Sequence, residues 1–204
     1  MPGKLIVFEG GEKSGKSTQI ELLKKYLEDK NFQVVLTREP GSKLSTITQS
    51  IREIILNNKN TNLTARAELL LFLADRSQHV AEVIKPALEQ GKIVLCDRFD
   101  GSTFAYQGAA RHLDLGEIKS MNNWAKYGLV PDLVVYLDIT PEQAMTRSRG
   151  EKYDRLDAEN RDFHEAVRAG YLEQAKLANW FSISALGQVE EIAENIQQAV
   201  DKIL

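Results

Sequence analysis

Cysteine, histidine and long apolar runs are scarce in this sequence of 204 residues, which has one cysteine and three histidines. Cys96 has no partner for an internal disulfide, and no histidine stands near it at the spacing of metal ligands. The longest apolar run, Leu69 to Ala74, is far shorter than the ~20 residues that span a bilayer. These absences argue against a disulfide-stapled fold, a structural metal site and a membrane protein.

Excess positive charge is also absent, because the formal net charge is −3 at pH 7. That balance argues against broad, nonspecific binding to nucleic acid. The residues after Met1-Pro2-Gly3-Lys4 lack the apolar core of a signal peptide, so we expect a cytoplasmic protein. No repeat, low-complexity tract or Pro/Gly/Ser linker divides the chain, and we predict a single domain over residues 1–204.

Short apolar runs alternate with longer helical patterns along the chain. The predicted strands are 5–8, 34–36, 93–96, 133–137 and 180–184. The predicted helices are 16–29, 46–57, 64–90, 102–109, 115–127, 141–149, 159–178 and 189–203. Strands rich in Val, Ile and Leu that are separated by helices predict an α/β fold with a parallel sheet, flanked by helices on both faces.

Two prolines bear on the helix boundaries. Pro86 lies inside the pattern 64–90 and is expected to kink or break that helix, because it lacks a backbone N–H and clashes with the preceding turn. Pro141 follows Thr140, which predicts a helix start with Thr140 as the N-cap.

The most informative stretch is Gly10-Gly11-Glu12-Lys13-Ser14-Gly15-Lys16-Ser17, which fits the phosphate-loop pattern G-x-x-x-x-G-K-[ST] at every fixed position. A predicted strand precedes it and a predicted helix follows it, so backbone N–H groups and a helix N-terminus point at one anion. Lys16 would reach the outer phosphates, and the Ser17 hydroxyl would ligate Mg²⁺. The alternative is an ordinary Gly/Ser turn.

Arginines follow several of the predicted strands. Arg38 comes after the second strand, Arg98 after the third, and Arg147 and Arg149 after the helix that follows the fourth. Ligands bind at the carboxyl ends of parallel strands, and the guanidinium fork suits phosphate oxygens, so we infer a second phosphate group near the first. Each arginine taken alone would be a solvated surface charge.

Asp97 directly follows the apolar run 93–96. A carboxylate at the end of such a strand is placed to hold Mg²⁺ or its water beside the phosphates. The alternative is that Asp97 pairs with Arg98 or caps a helix.

The remaining motifs narrow the kind of phosphate chemistry. The chain has no Asp-x-x-Gly, and Asn58-Lys59-Asn60-Thr61 lacks the aspartate that would read guanine, so a GTPase is disfavoured. A motor or transport ATPase would need more partner domains than 204 residues provide. A kinase for a phosphorylated small molecule fits best, and the rivals are another nucleotide or nucleoside kinase and a nucleotide sensor without turnover.

Blocks of residues in a characteristic order resemble the thymidylate kinase family over nearly the whole chain. The blocks are Phe8-Glu9-Gly10, Gly15-Lys16-Ser17-Thr18-Gln19, Thr37-Arg38-Glu39-Pro40-Gly41, Leu71-Phe72-Leu73-Ala74-Asp75-Arg76, Asp97-Arg98-Phe99, Ser102 with Ala105-Tyr106-Gln107-Gly108, Pro131-Asp132-Leu133 and Asp154-Arg155. The resemblance implies a P-loop kinase fold with a five-stranded parallel sheet, commonly a homodimer. It implies transfer of the γ-phosphoryl group of ATP to dTMP with Mg²⁺, giving dTDP on the route to dTTP.

The resemblance also implies roles for individual residues. ATP would be bound by the loop, and the residues concerned are Gly10, Gly11, Glu12, Lys13, Ser14, Gly15, Lys16, Ser17, Thr18 and Arg147. The dTMP phosphate would be held by Arg38 and Arg98, and Glu12 would contact the sugar 3′-hydroxyl near Mg²⁺. Phe72 would stack on the thymine ring, and Arg76 would contact a base carbonyl. Ser102 and Gln107 would lie at the edge of the base, and Tyr106 would pack against the sugar.

One further catalytic cation is left open between two places. Lys13 lies in the loop, whereas Arg147, Arg149, Lys152 and Arg155 lie in or beside a lid segment of about 147–158. We favour Lys13 as the contact to the transferring phosphate, with the lid arginines, Arg149 among them, holding ATP.

Overall fold

The computed structural model describes residues 3–147 and 153–204, and it shows one five-stranded sheet within these ranges. The strands are β1 (Lys4–Glu9), β2 (Val34–Arg38), β3 (Ile93–Asp97), β4 (Leu133–Asp138) and β5 (Trp180–Ser184). All neighbouring strands are parallel, in the order β2-β3-β1-β4-β5. The predicted α/β fold with a five-stranded parallel sheet is therefore confirmed.

Helices connect the strands and cover the sheet. They are α1 (Lys16–Asp29), α2 (Thr46–Leu56), α3 (Ala65–His79), α4 (Lys85–Glu89), α5 (Asp100–Thr103), α6 (Leu115–Ala125), α7 (Pro141–Thr146), α8 (Arg161–Gln174) and α9 (Val189–Asp201). Two π-helical segments join them, Val80–Ile84 between α3 and α4, and Phe104–Ala110 after α5. In the described ranges, no helix has both the length and the apolar character that a membrane span needs.

The central strand β1 is buried on both faces. Its side chains alternate, so that Ile6 and Phe8 pack with residues of α1 and α9, whereas Leu5 and Val7 pack with Val80 and others on the opposite face. Fully burying such a side chain contributes roughly 1.5–3 kcal/mol. The two hydrophobic clusters therefore hold β1, and with it the loop that follows β1, in a fixed position.

The expectation that Pro86 kinks or breaks the helix is met only in part: residues 65–89 are helical throughout, so the helix does not end, but its α-helical hydrogen bonding is interrupted just before the proline. A π-helical turn precedes the proline, and the Lys85 N–H donates to the Val80 carbonyl five residues earlier. Pro86 then lies in the first turn of α4, where its missing N–H costs little. The sequence pattern could not show this change in helical pitch.

The start of α7 is as predicted. Thr140 accepts a hydrogen bond from the Gln143 N–H, and the Gln143 side chain accepts one from the Thr140 N–H in return, with Pro141 at the first helical position. The predicted helix 141–149 is shorter in the structure, since α7 ends at Thr146 and residues 148 and 149 lie outside the described ranges.

Close packing of α8 against the Phe104–Ala110 segment brings two tyrosines together. A Cβ atom at Gly170 would lie 2.8 Å from both the Ala105 Cα and the Ala109 Cβ, so only glycine permits this approach. As a result the rings of Tyr106 and Tyr171 meet edge to face, with their centroids 6.3 Å apart.

Candidate active site

The loop between β1 and α1 has the backbone shape that the phosphate-loop motif requires. Gly10 and Gly15 have φ angles of 148° and 89°, and a Cβ at Gly10 would lie 2.7 Å from the Leu137 carbonyl oxygen. No side chain caps the N-terminus of α1, which begins at Lys16. Its first N–H groups therefore remain available to an anion.

Lys16 is buried at the base of this loop. Its Nζ donates to the carbonyl oxygens of Gly10 and Gly11 at 3.1 and 2.9 Å. Burial lowers the pKa of Lys16, and the nearby Arg98 lowers it further, while Asp97 opposes that effect. The ammonium group is hydrogen-bonded to neutral loop carbonyls. An anionic ligand on the loop would add a partner of opposite charge.

A cavity of about 630 Å³ opens above the carboxyl ends of the strands. Most of the predicted site residues line it, namely Glu12, Lys13, Ser14, Gly15, Lys16, Ser17, Thr18, Arg38, Phe72, Asp97, Arg98, Ser102, Tyr106, Gln107 and Arg147. The strand register explains this convergence, since Asp97 pairs with both Phe8 and Arg38 across neighbouring strands. The structure thus brings together residues that are far apart in the chain, such as Lys13 and Arg147, which are 134 positions apart.

Arg98 is held in place by three contacts. One terminal nitrogen donates to the Gly10 carbonyl at 2.7 Å and to the Tyr171 hydroxyl at 2.8 Å, and the other forms an ion pair with Glu12. The Arg98 guanidinium also lies over the ring of Tyr106, 5.4 Å from its centroid. The guanidinium is therefore oriented in advance beside the phosphate loop.

Glu12 remains ionised at neutral pH. Desolvation opposes its charge, but Arg98 and then Lys16 outweigh that effect and lower the pKa of Glu12 to about 2. The carboxylate therefore balances part of the positive charge of the empty cavity, and it would have to share or exchange Arg98 when a phosphate binds.

Two further arginines, Arg38 and Arg52, line the same cavity as Arg98. The Arg38 Nε donates to the Gly41 carbonyl at 3.1 Å, and Arg52 donates to the Pro40 carbonyl at 2.7 Å. Burial lowers the pKa of Arg52, and the charge of Arg38 adds to this effect. Arg52 was not predicted, because it lies on α2 outside any motif and sequence alone does not show which face of α2 meets the cavity.

Arg76 does not lie on the cavity wall, contrary to the role that the resemblance implied. Its side chain is 1% exposed, and its five N–H groups are directed at protein acceptors. These acceptors are Glu39 Oε2, Thr103 Oγ1, Asn122 Oδ1 and the Phe99 carbonyl oxygen. In this structure Arg76 ties α3 to the loops after β2 and β3, and a contact with a base carbonyl does not match its geometry.

Glu39 links Arg76 to His79, whose Nδ1 lies 2.9 Å from Glu39 Oε1. Asp75 accepts a hydrogen bond from the Gly41 N–H at 2.9 Å, and burial together with Glu39 raises the pKa of Asp75 to about 7. This buried layer supports the loop that carries Arg38.

Asp97 lines the cavity, and its Oδ1 is buried without a hydrogen-bond partner among the described residues. The helix-cap alternative does not fit, since α5 has no side-chain cap. Asp97 interacts with Arg98 through its charge, although no hydrogen bond joins the two within the described part of the chain. In that same part, no cluster of three or more His, Cys, Asp or Glu side chains is arranged to hold a metal by itself.

Phe72, Ser102, Tyr106 and Gln107 form part of the cavity wall. Ser102 donates to Glu9 Oε2 at 2.6 Å and lies 2.8 Å from the Tyr171 hydroxyl. The aromatic rings of Phe72 and Tyr106 provide apolar surface, and the Gln107 amide adds hydrogen-bonding capacity. This wall suits a planar heterocycle.

The proposed lid residues divide into three groups. Arg147 lines the cavity and donates to the carbonyl oxygens of Lys13 and Ala185 at 3.2 and 2.6 Å. Arg155 instead lies against α2 and α3, where it donates to the Ile55 carbonyl and to Glu68, so its candidate role as a cation for ATP does not match the structure. Arg149 and Lys152 lie outside the described residues.

Glu9 was missed as a site residue, although it stands directly before the loop. Its two carboxylate oxygens accept hydrogen bonds from the backbone N–H groups of Phe99 and Ser102 and from the hydroxyls of Ser102 and Tyr171. Burial raises the pKa of Glu9 to about 7 despite these bonds. The sequence signals were a carboxylate at the end of an apolar strand and the place of Glu9 in the block Phe8-Glu9-Gly10.

The fold and the cavity define a class of protein: an α/β enzyme of phosphoryl transfer built on a phosphate-binding loop, whose cavity is also lined by arginines. Comparison with known proteins specifies it further. The family model described as Thymidylate kinase matches residues 8–196. The chain belongs to the thymidylate kinase family, which confirms the resemblance seen in its motifs.

Proteins named thymidylate kinase from several bacteria align with nearly the whole chain. The one from Leifsonia xyli subsp. xyli (strain CTCB07) is 45% identical over 203 residues, which cover 98% of this chain and 95% of that protein. The one from Clavibacter michiganensis subsp. michiganensis (strain NCPPB 382) is 44% identical over 210 residues, covering 100% and 97%. The one from Thermosipho africanus (strain TCF52B) is 44% identical over 200 residues, covering 98% of each.

The raised pKa of Glu9 predicts a pH-dependent stability difference. The folded pKa of about 7 exceeds the ordinary value of 4.5, so the stability that the protonated carboxyl contributes is complete below pH 4.5 and is lost as the pH rises through 7. Glu9→Gln keeps the shape and cannot ionise. As the pH rises from 4.5 to 8, the free energy of unfolding of Glu9→Gln should therefore increase relative to that of the wild type by up to about 3 kcal/mol.

Urea denaturation of both proteins across this pH range measures the difference. Asp75 has a raised pKa of the same sign, but it is present in both proteins and cancels in the comparison. A difference that does not change with pH would show that the Glu9 carboxyl titrates normally.

Proposed function

We propose that the cavity binds ATP and dTMP together, with their phosphates facing each other between the loop and the arginines. The protein is a thymidylate kinase that phosphorylates dTMP to dTDP. The observation that carries the two-nucleotide arrangement is that Arg38, Arg52 and Arg98 line the same cavity as the phosphate loop. One nucleotide on the loop would leave these arginines without a phosphate partner.

The donor end of the cavity is proposed to lie over α1. The N–H groups of the loop and the Lys16 ammonium would hold the β- and γ-phosphates of ATP. Arg147 lies over the same loop, held by the carbonyls of Lys13 and Ala185, and would hold the rest of ATP. Gly187, Val189 and Ile192 extend this end of the cavity with largely apolar surface, which suits a purine ring.

The acceptor end would hold dTMP. Arg38 and Arg98 would bind its phosphate, Phe72 would stack on the thymine, and Ser102 and Gln107 would meet the edge of the base. Tyr106 would pack against the sugar. The ionised Glu12 would accept a hydrogen bond from the 3′-hydroxyl.

The donor set also fits Mg²⁺. The Ser17 hydroxyl and the unpartnered Oδ1 of Asp97 face the same cavity and would hold the ion or its water molecules. When bound with the nucleotide, the ion supplies charge neutralisation at the phosphate oxygens. The protein by itself offers too few ligands, which is consistent with an ion that arrives with ATP.

The chemical step needs no protein nucleophile. An oxygen of the dTMP phosphate attacks the γ-phosphorus, the bond from that phosphorus to the β–γ bridging oxygen breaks, and ADP leaves. Lys16 would stabilise charge on the transferring group, and Arg98 would hold the attacking phosphate in line. The contacts of Arg98 with Gly10 and Tyr171 support this role, because they restrict its orientation before dTMP arrives.

The experiment that tests the function is ADP release in a coupled assay with dTMP, dUMP, dCMP, UMP and AMP as acceptors. We expect dTMP to give the highest kcat/KM. In the same assay Arg98→Ala should raise the KM for dTMP and lower kcat, with a loss in kcat/KM of roughly 10²-fold, because it removes a charged contact to the reacting phosphate.

Arg161→Ala is the matched control, since Arg161 is exposed and forms an ion pair with Glu165 on the same helix. It should behave like the wild type. Wild-type kinetics of Arg98→Ala would refute the acceptor-phosphate role, and ATP binding without ADP release would indicate a nucleotide sensor.

Lys13 is proposed as the additional cation at the transferring phosphate. It lies in the loop with a φ angle of 57° and lines the cavity. Lys13→Ala should lower kcat by roughly 10²-fold with a much smaller effect on the KM for dTMP, because the contact would form mainly in the transition state. Unchanged turnover in steady-state kinetics would assign the role to the lid.

We also propose a homodimer that forms through α3 and α6. Leu70 and Ala74 are exposed on one face of α3, and Trp124 and Tyr127 are exposed on and just after α6, with Trp124 81% accessible. The two helices pack against each other, so these side chains share one side of the molecule. An exposed apolar patch of this kind is typical of an interface.

Light scattering should therefore give twice the chain mass for the wild type and a shift towards the monomer for Trp124→Asp. Leu186→Asp is the control, because Leu186 is 53% exposed in the loop after β5, outside the patch. A monomeric wild type at assay concentration would overturn the dimer.

A cytoplasmic location is proposed on chemical grounds. ATP, which the family implies as the donor, is a cytoplasmic metabolite, and Cys96 is a free thiol that is completely buried in the sheet. A free thiol of this kind needs no oxidising compartment.

A further inference from the structure

Glu68 is a buried carboxylate outside the cavity wall that contacts three different parts of the chain. It lies in the first turn of α3 and is fully buried. The Gln107 Nε2 donates to its Oε1 at 2.9 Å, and Arg155 donates to its Oε2 at 2.6 Å. Arg111 lies 3.4 Å from both oxygens. The two guanidinium groups place positive charge directly against this buried carboxylate.

This contact determines the orientation of the Gln107 amide. The carboxylate oxygens face the donors of two arginines and accept from them, so Gln107 directs its NH₂ group towards Glu68. A rotated amide would place its carbonyl oxygen against the carboxylate, and the two acceptors would repel each other. Since Gln107 lines the acceptor end of the cavity, its carbonyl oxygen Oε1 is the polar atom that it can offer to a ligand.

A fixed acceptor at this point distinguishes among pyrimidines. Thymine and uracil both carry an N–H donor at N3, whereas the N3 of cytosine is an acceptor beside a donating amino group. The carbonyl oxygen of Gln107 can accept a hydrogen bond from the N3–H of thymine or uracil. In cytosine it would face the N3 lone pair, and the two acceptors would repel each other. A buried mismatch of this kind costs more than a missing contact, because it leaves polar groups unpaired.

We propose that Glu68 is a positioning residue that selects the acceptor base, by holding the Gln107 amide with its carbonyl oxygen available to the N3–H of a 4-keto pyrimidine. The proposal rests on the function proposed above, because it needs the base of the acceptor nucleotide at the Gln107 wall. Glu68 itself touches no substrate. The C5 methyl group plays no part in this selection, so Glu68 should separate thymine and uracil from cytosine without separating thymine from uracil.

The test is a comparison of kcat/KM for dTMP, dUMP and dCMP in wild type and Glu68→Gln. The introduced amide can donate or accept, so it no longer determines which way Gln107 points. We expect the dTMP-to-dCMP ratio to fall by about tenfold, as for one misdirected buried hydrogen bond. The dTMP-to-dUMP ratio should stay unchanged.

Two further variants separate orientation from simple structural support. Arg111→Met removes the long contacts to Glu68 and the ion pair with Glu159 while it leaves Gln107 on the carboxylate, so both ratios should match the wild type. Gln107→Met should lower the dTMP-to-dCMP ratio by itself. Adding Glu68→Gln to Gln107→Met should then cause no further fall, because the two residues act through one hydrogen bond.

Glu68→Asp covers the case in which Glu68→Gln fails to fold. It keeps the charge beside the two arginines but withdraws the carboxylate by one methylene group, and the same fall in the dTMP-to-dCMP ratio is expected. Folded Glu68 variants with an unchanged ratio, or a ratio that falls equally in Arg111→Met, would overturn the proposal. A wild type that uses none of the three nucleotides would instead overturn the proposed function.

Discussion

The concentration of positive charge above the carboxyl ends of β1, β2 and β3 is the constraint on which the rest of the site depends. Lys16, Arg38, Arg52 and Arg98 face one cavity, and like charges in a partly buried space repel one another. The empty protein offsets this with loop carbonyls and with the carboxylate of Glu12. Phosphate oxygens would provide a better arrangement of the same charges, so the site is organised for anions before any arrive.

Carboxylates in three different settings support these cations. Glu12 is paired and strongly acidic, Glu9 is buried with a raised pKa, and Asp97 has an oxygen without a hydrogen-bond partner among the described residues. Their surroundings therefore differ: Glu12 balances Arg98, Glu9 holds the loop after β3, and Asp97 keeps one oxygen towards the cavity. The Tyr171 hydroxyl, on α8, contacts both Glu9 and Arg98. It thereby connects Glu9 to Glu12, which is paired with Arg98.

A second layer of buried ion pairs surrounds the acceptor end. Arg76 with Glu39, and Arg155 with Glu68, join α3 to segments that are far away in the sequence. Such pairs are expensive to desolvate and are weak evidence for stability, but they restrict the packing of the elements that they join. This explains why two arginines from recognisable motifs serve the framework in the structure, whereas Arg52, which belongs to no motif, lies on the cavity wall.

Much of this protein could be predicted from its residues in order. The sequence predicted the phosphate loop, the five strands, the cap at Thr140 and the family. Each of these depends on neighbouring residues or on a pattern that repeats along the chain. The π-helical turn before Pro86, the burial of Arg76 and Arg155, and the roles of Glu9, Arg52, Tyr171 and Glu68 were not predicted. These features depend on which side chains meet across elements that are distant in sequence, and burial then determines whether a charge faces a ligand or another residue. Local pattern specified the elements and the chemistry they carry, and only tertiary packing decided which of the charged groups reach the cavity.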